Sequence, residues 1–173
     1  MKTIEQAVSD LVPGAIIGYE GFDIVRWFTN GAAGHVAVYI GRGSFTLTTF
    51  TPDDSKGPVV VTADPTIGGV GFCALNDWNE IVWIRQPWAP LDLGPALTAI
   101  KPYLGQPYSW SNTLGDGGIW VPANGGLNCS HTSALVMAGG GSPQFDLDYN
   151  LAQIEPAHFE TSYESTSIWT RPK

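Results

Sequence analysis

One short segment, polar at its start and closed by glycines, most constrains the fold. After Asn128, residues Cys129 to Ala138 are suited to a helix, and Gly139-Gly140-Gly141 ends it. A cysteine at the start of a helix feels the positive end of the helix dipole and the unpaired backbone N–H groups, which favour its thiolate. The sequence therefore predicts a helix that presents Cys129 as a nucleophile.

Strand patterns cluster in the middle of the chain. A hairpin is predicted from His35 to Ile40 and Phe45 to Phe50, around Gly41-Arg42-Gly43. Further strands are predicted at Pro58–Thr62 and Glu80–Arg85, with an irregular glycine-rich connection between them, and at Ser167–Arg171. The helical spacing of apolar residues predicts helices at 4–11, 22–29 and 93–104. The pattern indicates one α+β domain over residues 1–173.

Composition and charge exclude several classes of protein. Hydrophobic residues make up 43% of the 173 residues and charged residues 14%, which is typical of a folded domain. The net charge of −8 excludes a strong electrostatic attraction to nucleic acid or to an anionic membrane. No signal peptide or membrane span is visible. We therefore expect no integral membrane contact and a cytoplasmic location, with release by lysis or dedicated export as alternatives.

The remaining cysteine and histidines differ in context. Gly34-His35-Val36-Ala37 places a histidine at the start of an apolar strand, where it would be a natural proton partner for a thiolate. Cys73 follows Phe72 without such surroundings, and we expect it to be a buried strand residue. His131 comes two residues after Cys129, which on a helix is about 200° away, so a surface or capping role is expected.

Three stretches carry a family resemblance. Leu104-Gly105-Gln106-Pro107-Tyr108-Ser109-Trp110, followed later by Asn128-Cys129-Ser130, is similar to the signature of NlpC-type cysteine peptidases. The segment Gly34 to Gly41 resembles the histidine strand of that superfamily. Here the histidine strand precedes the cysteine, an order that resembles the circularly permuted branch and especially YiiX-like proteins. The resemblance spans roughly residues 11 to 171 and implies a circularly permuted papain-like fold, with the nucleophile helix packed against a small antiparallel sheet.

The resemblance also implies residue roles. Cys129 would be the nucleophile and His35 its general base and acid, while the Cys129 backbone N–H and the Tyr108 hydroxyl would stabilise the oxyanion. In the permuted branch a polar residue on the strand after the histidine strand, often Glu, orients the imidazole. The range 45–50 holds no carboxylate, so Thr48 is the predicted third residue, with Thr46 and Asp53 as alternatives.

The function predicted on this basis is a thiol hydrolase that cleaves an amide in a peptidoglycan-type peptide. The alternatives are a lipid acyl hydrolase or acyltransferase of the same superfamily, cleavage of a protein or ubiquitin-like tail, and a non-catalytic binding module that retains the cleft. No cofactor is predicted, and no metal, because the sequence shows no spacing for three or four converging ligands. Gly115 to Gly126 contains five glycines and is expected to cover the cleft. The oligomeric state is left open.

Overall fold

A seven-stranded antiparallel sheet forms the centre of the fold, and a computed structural model describes residues 2–21, 32–76, 78–109, 127–142, 154, 156–161 and 165–172. The helices are α1 (Ile4–Ser9), α2 (Leu93–Ile100), α3 (Cys129–Gly139) and α4 (Pro156–Thr161). The strands are β1 (Ile16–Tyr19), β2 (His35–Phe45), β3 (Phe50–Pro52), β4 (Pro58–Asp64), β5 (Gly69–Ala74), β6 (Ile81–Pro87) and β7 (Ser165–Thr170). The predicted α+β class is confirmed.

The strand order of the sheet is β5-β4-β2-β1-β6-β7, and β3 pairs with the far end of β2. The central strand β2 is buried on both faces from His35 to Ile40, because side chains alternate between two cores. Val36, Val38 and Ile40 face a core shared with α3. Ala37 and Tyr39 face a second core shared with α1. The sheet therefore separates the helix carrying Cys129 from the N-terminal helix.

Helix α3 begins and ends where the sequence predicts. The side chain of its N-cap Asn128 accepts the backbone N–H of His131 at 2.8 Å, which satisfies one of the donors left unpaired at a helix start. Its glycine end also permits close packing, since a Cβ added at Gly139 would lie 2.4 Å from the Ala99 Cβ on α2. None of the helices in the described part of the chain has the length and apolar character that crossing a membrane requires.

The structure corrects two strand predictions. The predicted hairpin turn at 41–43 is wrong, since β2 continues to Phe45 after a register shift between Tyr39 and Gly41 that bends the strand. The turn lies at 46–49, where the Thr46 hydroxyl accepts the backbone N–H groups of Thr48 and Thr49. The predicted irregular connection after Thr62 is wrong too, because β5 pairs along β4 as far as Asp64 and Gly69.

Helix predictions had mixed outcomes. The capping box at Thr3 and Gln6 is present and begins α1. The helix predicted at 93–104 ends at Ile100 and continues as one 3-10 turn, Lys101–Tyr103, which contains Pro102. The helix predicted at 22–29 and the glycine-rich segment 115–126 lie outside the described residues.

Candidate active site

The candidate site lies where two neighbouring strands stop pairing. Strands β2 and β4 are paired from Arg42 and Pro58 to Val38 and Val61, and this pairing does not reach Val36. The Val36 carbonyl instead accepts a hydrogen bond from the Thr62 hydroxyl at 2.8 Å. The backbone N–H of Val36 lies close enough to the Cys129 sulfur to favour the thiolate. The sulfur at the start of α3 therefore meets the sheet where the backbone of β2 is free to contact it.

Cys129 is 4% exposed and has no disulfide partner. Burial alone would raise the pKa of its thiol, because an apolar environment disfavours the charged form. The charge and hydrogen bonding of His35 outweigh that effect, with smaller help from the Val36 N–H and the Ser130 hydroxyl, whose oxygen is 4.0 Å from the sulfur. The net result is a Cys129 pKa below the ordinary thiol value.

His35 is the matching partner and is 7% exposed. Burial would lower the pKa of its imidazole, but the negative charge of Cys129 and its hydrogen bonding raise it, with further contributions from Asp64 and Glu80. The pKa of His35 is therefore raised while that of Cys129 is lowered. Opposite shifts of this kind favour a thiolate–imidazolium pair.

The hydrogen bonds of Thr62 determine which ring nitrogen of His35 carries the proton. The Thr62 hydroxyl donates its only hydrogen to the Val36 carbonyl, so at 3.2 Å it accepts from Nε2 of His35. This network assigns the Nε2–H tautomer. Among the described residues Nδ1 has no hydrogen-bond partner, although sulfur and ring are close enough to shift each other's pKa. Nδ1 is thus the nitrogen available to take the thiol proton.

Asp64 adds negative charge behind the ring. Its Oδ2 lies 3.6 Å from Nε2, which is beyond hydrogen-bond distance but near enough to stabilise imidazolium. Its Oδ1 is held by the Thr66 backbone N–H and hydroxyl, both at 2.7 Å. A carboxylate therefore stands near the imidazole, with Thr62 making the direct contact.

The structure does not bring Thr48 to His35. Thr48 is exposed in the turn between β2 and β3, and the alternatives Thr46 and Asp53 bond within that turn and the one that follows β3. The prediction relied on 45–50 being the strand after the histidine strand, whereas the strand that supplies the contact to His35 is β4, through Thr62. Thr62 and Asp64 could have been found from β4 itself, because residues two apart share one face of a strand.

Tyr108 is half-buried and packs against the core that contains Cys129. The next residue, Ser109, donates its backbone N–H to the Leu127 carbonyl at 3.1 Å, which ties this segment to the residues just before α3.

His131 is 6% exposed, so the expectation of a surface position is wrong. Cys73 is a partly buried residue of β5, and burial, followed by the charge of Asp64, raises its pKa to about 11.

Comparison with known proteins shows the fold. No protein-family model matches the sequence. No curated protein matches it either. The chain is similar in structure to the metalloprotein YiiX from Escherichia coli O157:H7, with a TM-score of 0.63 and 18% sequence identity, over 92% of this chain and 97% of that one. This chain therefore has an α+β fold similar to that of YiiX.

Proposed function

We propose that this protein is a cysteine hydrolase of the circularly permuted papain-like type, in which Cys129 forms an acyl-enzyme and His35 moves the proton. The observation that carries the proposal is a buried thiol at a helix start that lies near enough to a buried histidine for each to shift the other's pKa, while Nε2 of that histidine bonds Thr62. A merely structural cysteine would be expected to have a raised pKa, as Cys73 has.

The proposed reaction starts from the thiolate–imidazolium pair. The sulfur attacks a carbonyl carbon, and the oxyanion formed is stabilised by the Cys129 backbone N–H and the Tyr108 hydroxyl. His35 returns its proton to the leaving amine as the carbon–nitrogen bond breaks, which leaves a thioester. A water then loses a proton to His35 and attacks the thioester, and the products are a carboxylic acid and the free thiol.

The Asp64 carboxylate favours an enzyme over a non-catalytic binding module. A non-catalytic binding module was an alternative because the range 45–50, which was expected to lie beside the histidine, holds no carboxylate. Asp64 supplies that negative charge at 3.6 Å, and Thr62 supplies the direct hydrogen bond. Together they stabilise the imidazolium that thiolate chemistry requires.

The amide of a peptidoglycan-type peptide is the proposed substrate, on the strength of the sequence resemblance. Lipid acyl transfer is the second candidate within the same architecture. The protein of similar fold is named a metalloprotein. A resident metal needs three or four converging ligands. No three side chains of His, Cys, Asp or Glu form such a group in the described residues.

Thiol labelling with iodoacetamide tests the chemistry. In the Cys73→Ser protein only Cys129 can react, and we expect rapid alkylation near neutral pH that is lost in His35→Ala. His158→Ala, which changes a histidine on α4, is the matched control and should label as fast as the parent. Labelling of Cys129 no faster than that of Cys73 in Cys129→Ser, and unaffected by His35→Ala, would show that the proposed pair does not exist.

Substrate class needs a separate experiment. Muropeptides, short peptides and phospholipids are incubated with the wild-type protein and with Cys129→Ala, and the products are identified by mass spectrometry. Product from muropeptides in the wild-type protein alone supports the proposal. If only phospholipids gave a product, the proposed substrate would be a lipid ester and not an amide.

A further inference from the structure

A cleft of about 460 Å³ lies on the face of the sheet opposite α3. Its floor consists of β2 and β4 side chains that point away from the Cys129 helix, such as Ala37 and Val60. His35 and Thr62 line it as well, whereas Cys129 does not. The volume falls within the range of small-molecule sites. The cleft therefore shares His35 and Thr62 with the candidate active site but lies away from Cys129.

The charges along the wall have one sign. Asp64 and Glu80 both line the cleft, and no Lys or Arg occurs among the described residues that line it. The Asp64 side chain is 23% exposed, so its charge is only partly screened by water. Among the described residues that line the cleft, His35 is the one that can become cationic, and its charge is opposed by Cys129 on the other side. The cleft therefore favours a positively charged group.

The uncharged part of the cleft wall favours a ligand that also has an apolar carbon chain. Ala37, Val60 and Ala74 supply an apolar surface, and the Tyr19 ring lines one side, 5.9 Å from the His35 ring. An aromatic face attracts an organic cation, and an apolar floor accepts its methylene groups. A bare metal ion would use neither feature.

We propose that this cleft binds a small organic ammonium compound, with its charge near Asp64 and Glu80 and its carbon chain on the Ala37–Val60 floor. The cleft shares His35, Thr62 and Asp64 with the candidate active site, but binding there needs no thiol chemistry and does not depend on the proposed hydrolase activity. Occupancy would place a positive charge beside the Asp64 carboxylate that faces His35.

Pentylamine is the probe, with pentan-1-ol and pentanoate as neutral and anionic compounds of equal chain length. Binding is measured by NMR titration of the ¹⁵N-labelled Cys129→Ala protein, in which no thiol chemistry occurs at that position. We expect saturable shifts at the amides of Ala37 and Val60, and binding of the alcohol and the acid about tenfold or more weaker than that of the amine.

Substitutions of single carboxylates show which of them lie near the bound ammonium group. Asp64→Asn should weaken pentylamine binding about fivefold or more, and the more exposed Glu80→Gln about threefold. Glu5→Gln removes the same charge from α1 away from the cleft and should bind as the parent does. Ala74→Leu fills the cleft without a change of charge and should also weaken binding.

Three results would overturn the proposal. The first is the absence of saturable shifts at millimolar pentylamine, and the second is equal binding of pentan-1-ol. The third is a loss in Glu5→Gln as large as that in Asp64→Asn, which would indicate general attraction to an acidic protein. Because all arms use Cys129→Ala, failure here leaves the proposed hydrolase untouched, and failure of the labelling test leaves this site untouched.

Discussion

Replacing Thr62 with valine should weaken the proposed thiolate–imidazolium pair of Cys129 and His35 while keeping the shape of β4. Valine removes the hydroxyl that accepts from Nε2 of His35 at 3.2 Å and donates to the Val36 carbonyl at 2.8 Å. Both groups are buried, and water would not readily replace the lost partner. We expect the Thr62→Val protein to be folded, with a free energy of unfolding lower by about 1–3 kcal/mol.

The effect on reactivity follows from the charge of the ring. A hydrogen bond to a charged group contributes about 1.5–3 kcal/mol, and the lower end applies because Asp64 remains 3.6 Å from Nε2. That energy corresponds to about one pKa unit and about a tenfold smaller population of the thiolate–imidazolium pair where the pair is the minor form. The pKa of His35 should fall and that of Cys129 should rise.

The assay is the rate of Cys129 alkylation by iodoacetamide as a function of pH, in a Cys73→Ser background. The lowered Cys129 pKa keeps the thiolate present below the ordinary pH range of thiols, so the parent rate is lost only as the pH falls through that lowered value. In Thr62→Val the rise in rate should move to higher pH, with a rate about tenfold lower on the acidic side. Thr62→Ser retains the hydroxyl and should restore the parent profile.

Thr48→Val is the matched control, since it removes a threonine hydroxyl from an exposed turn and should leave the profile unchanged. The reasoning is refuted if Thr62→Val labels at the parent rate with the parent pH profile. It is also refuted if Thr48→Val shifts the profile and Thr62→Val does not.

Three further results are expected. The NMR-measured pKa of His35 should fall in Cys129→Ala, because burial lowers it and the sulfur is the largest group raising it; an unchanged value would mean that the two side chains do not interact. Cys73, with a pKa of about 11, should resist iodoacetamide at neutral pH in the Cys129→Ser protein, and fast labelling there would contradict its burial. Gly18→Ala should lower the free energy of unfolding by about 1–3 kcal/mol, because its Cβ would lie 2.3 Å from the Trp83 ring. Gly57→Ala, with no atom within 4 Å of the added Cβ, should unfold in urea as the wild-type protein does.

Local signals in the sequence were sufficient for α3 and for the start of β2, whereas the packing of α3 against the sheet was expected from the family resemblance. Asn128 is an N-cap residue, the glycines at 139–141 end the helix, and His35 opens an apolar strand; the structure has these features at those positions. The α+β class follows from the same patterns. Each of these signals depends on residues a few positions apart, which is why sequence reasoning reaches them.

The orienting contact of His35 depends on long-range pairing. Thr62 reaches His35 because β2 passes through the glycines at 41–43 and pairs with β4, a register set by the whole sheet. The close spacing of the glycines predicted a turn at that point. With a turn there, the range 45–50 would lie beside the histidine strand, and Thr48 was therefore the predicted neighbour of His35. The residues that follow the actual turn do form a short strand, β3 at Phe50–Pro52, but it pairs with the far end of β2, away from His35.

Val36 contributes to the candidate site through its main-chain N–H and carbonyl groups, which a side-chain substitution does not remove. Its N–H helps to lower the Cys129 pKa and its carbonyl oxygen accepts the Thr62 hydroxyl, so changing the Val36 side chain would leave both interactions in place. A conventional alanine scan would therefore underestimate this position. Replacing the amide linkage preceding Val36 with an ester, by chemical ligation or an α-hydroxy acid, would delete the donor alone and measure what the main chain adds to thiolate stability.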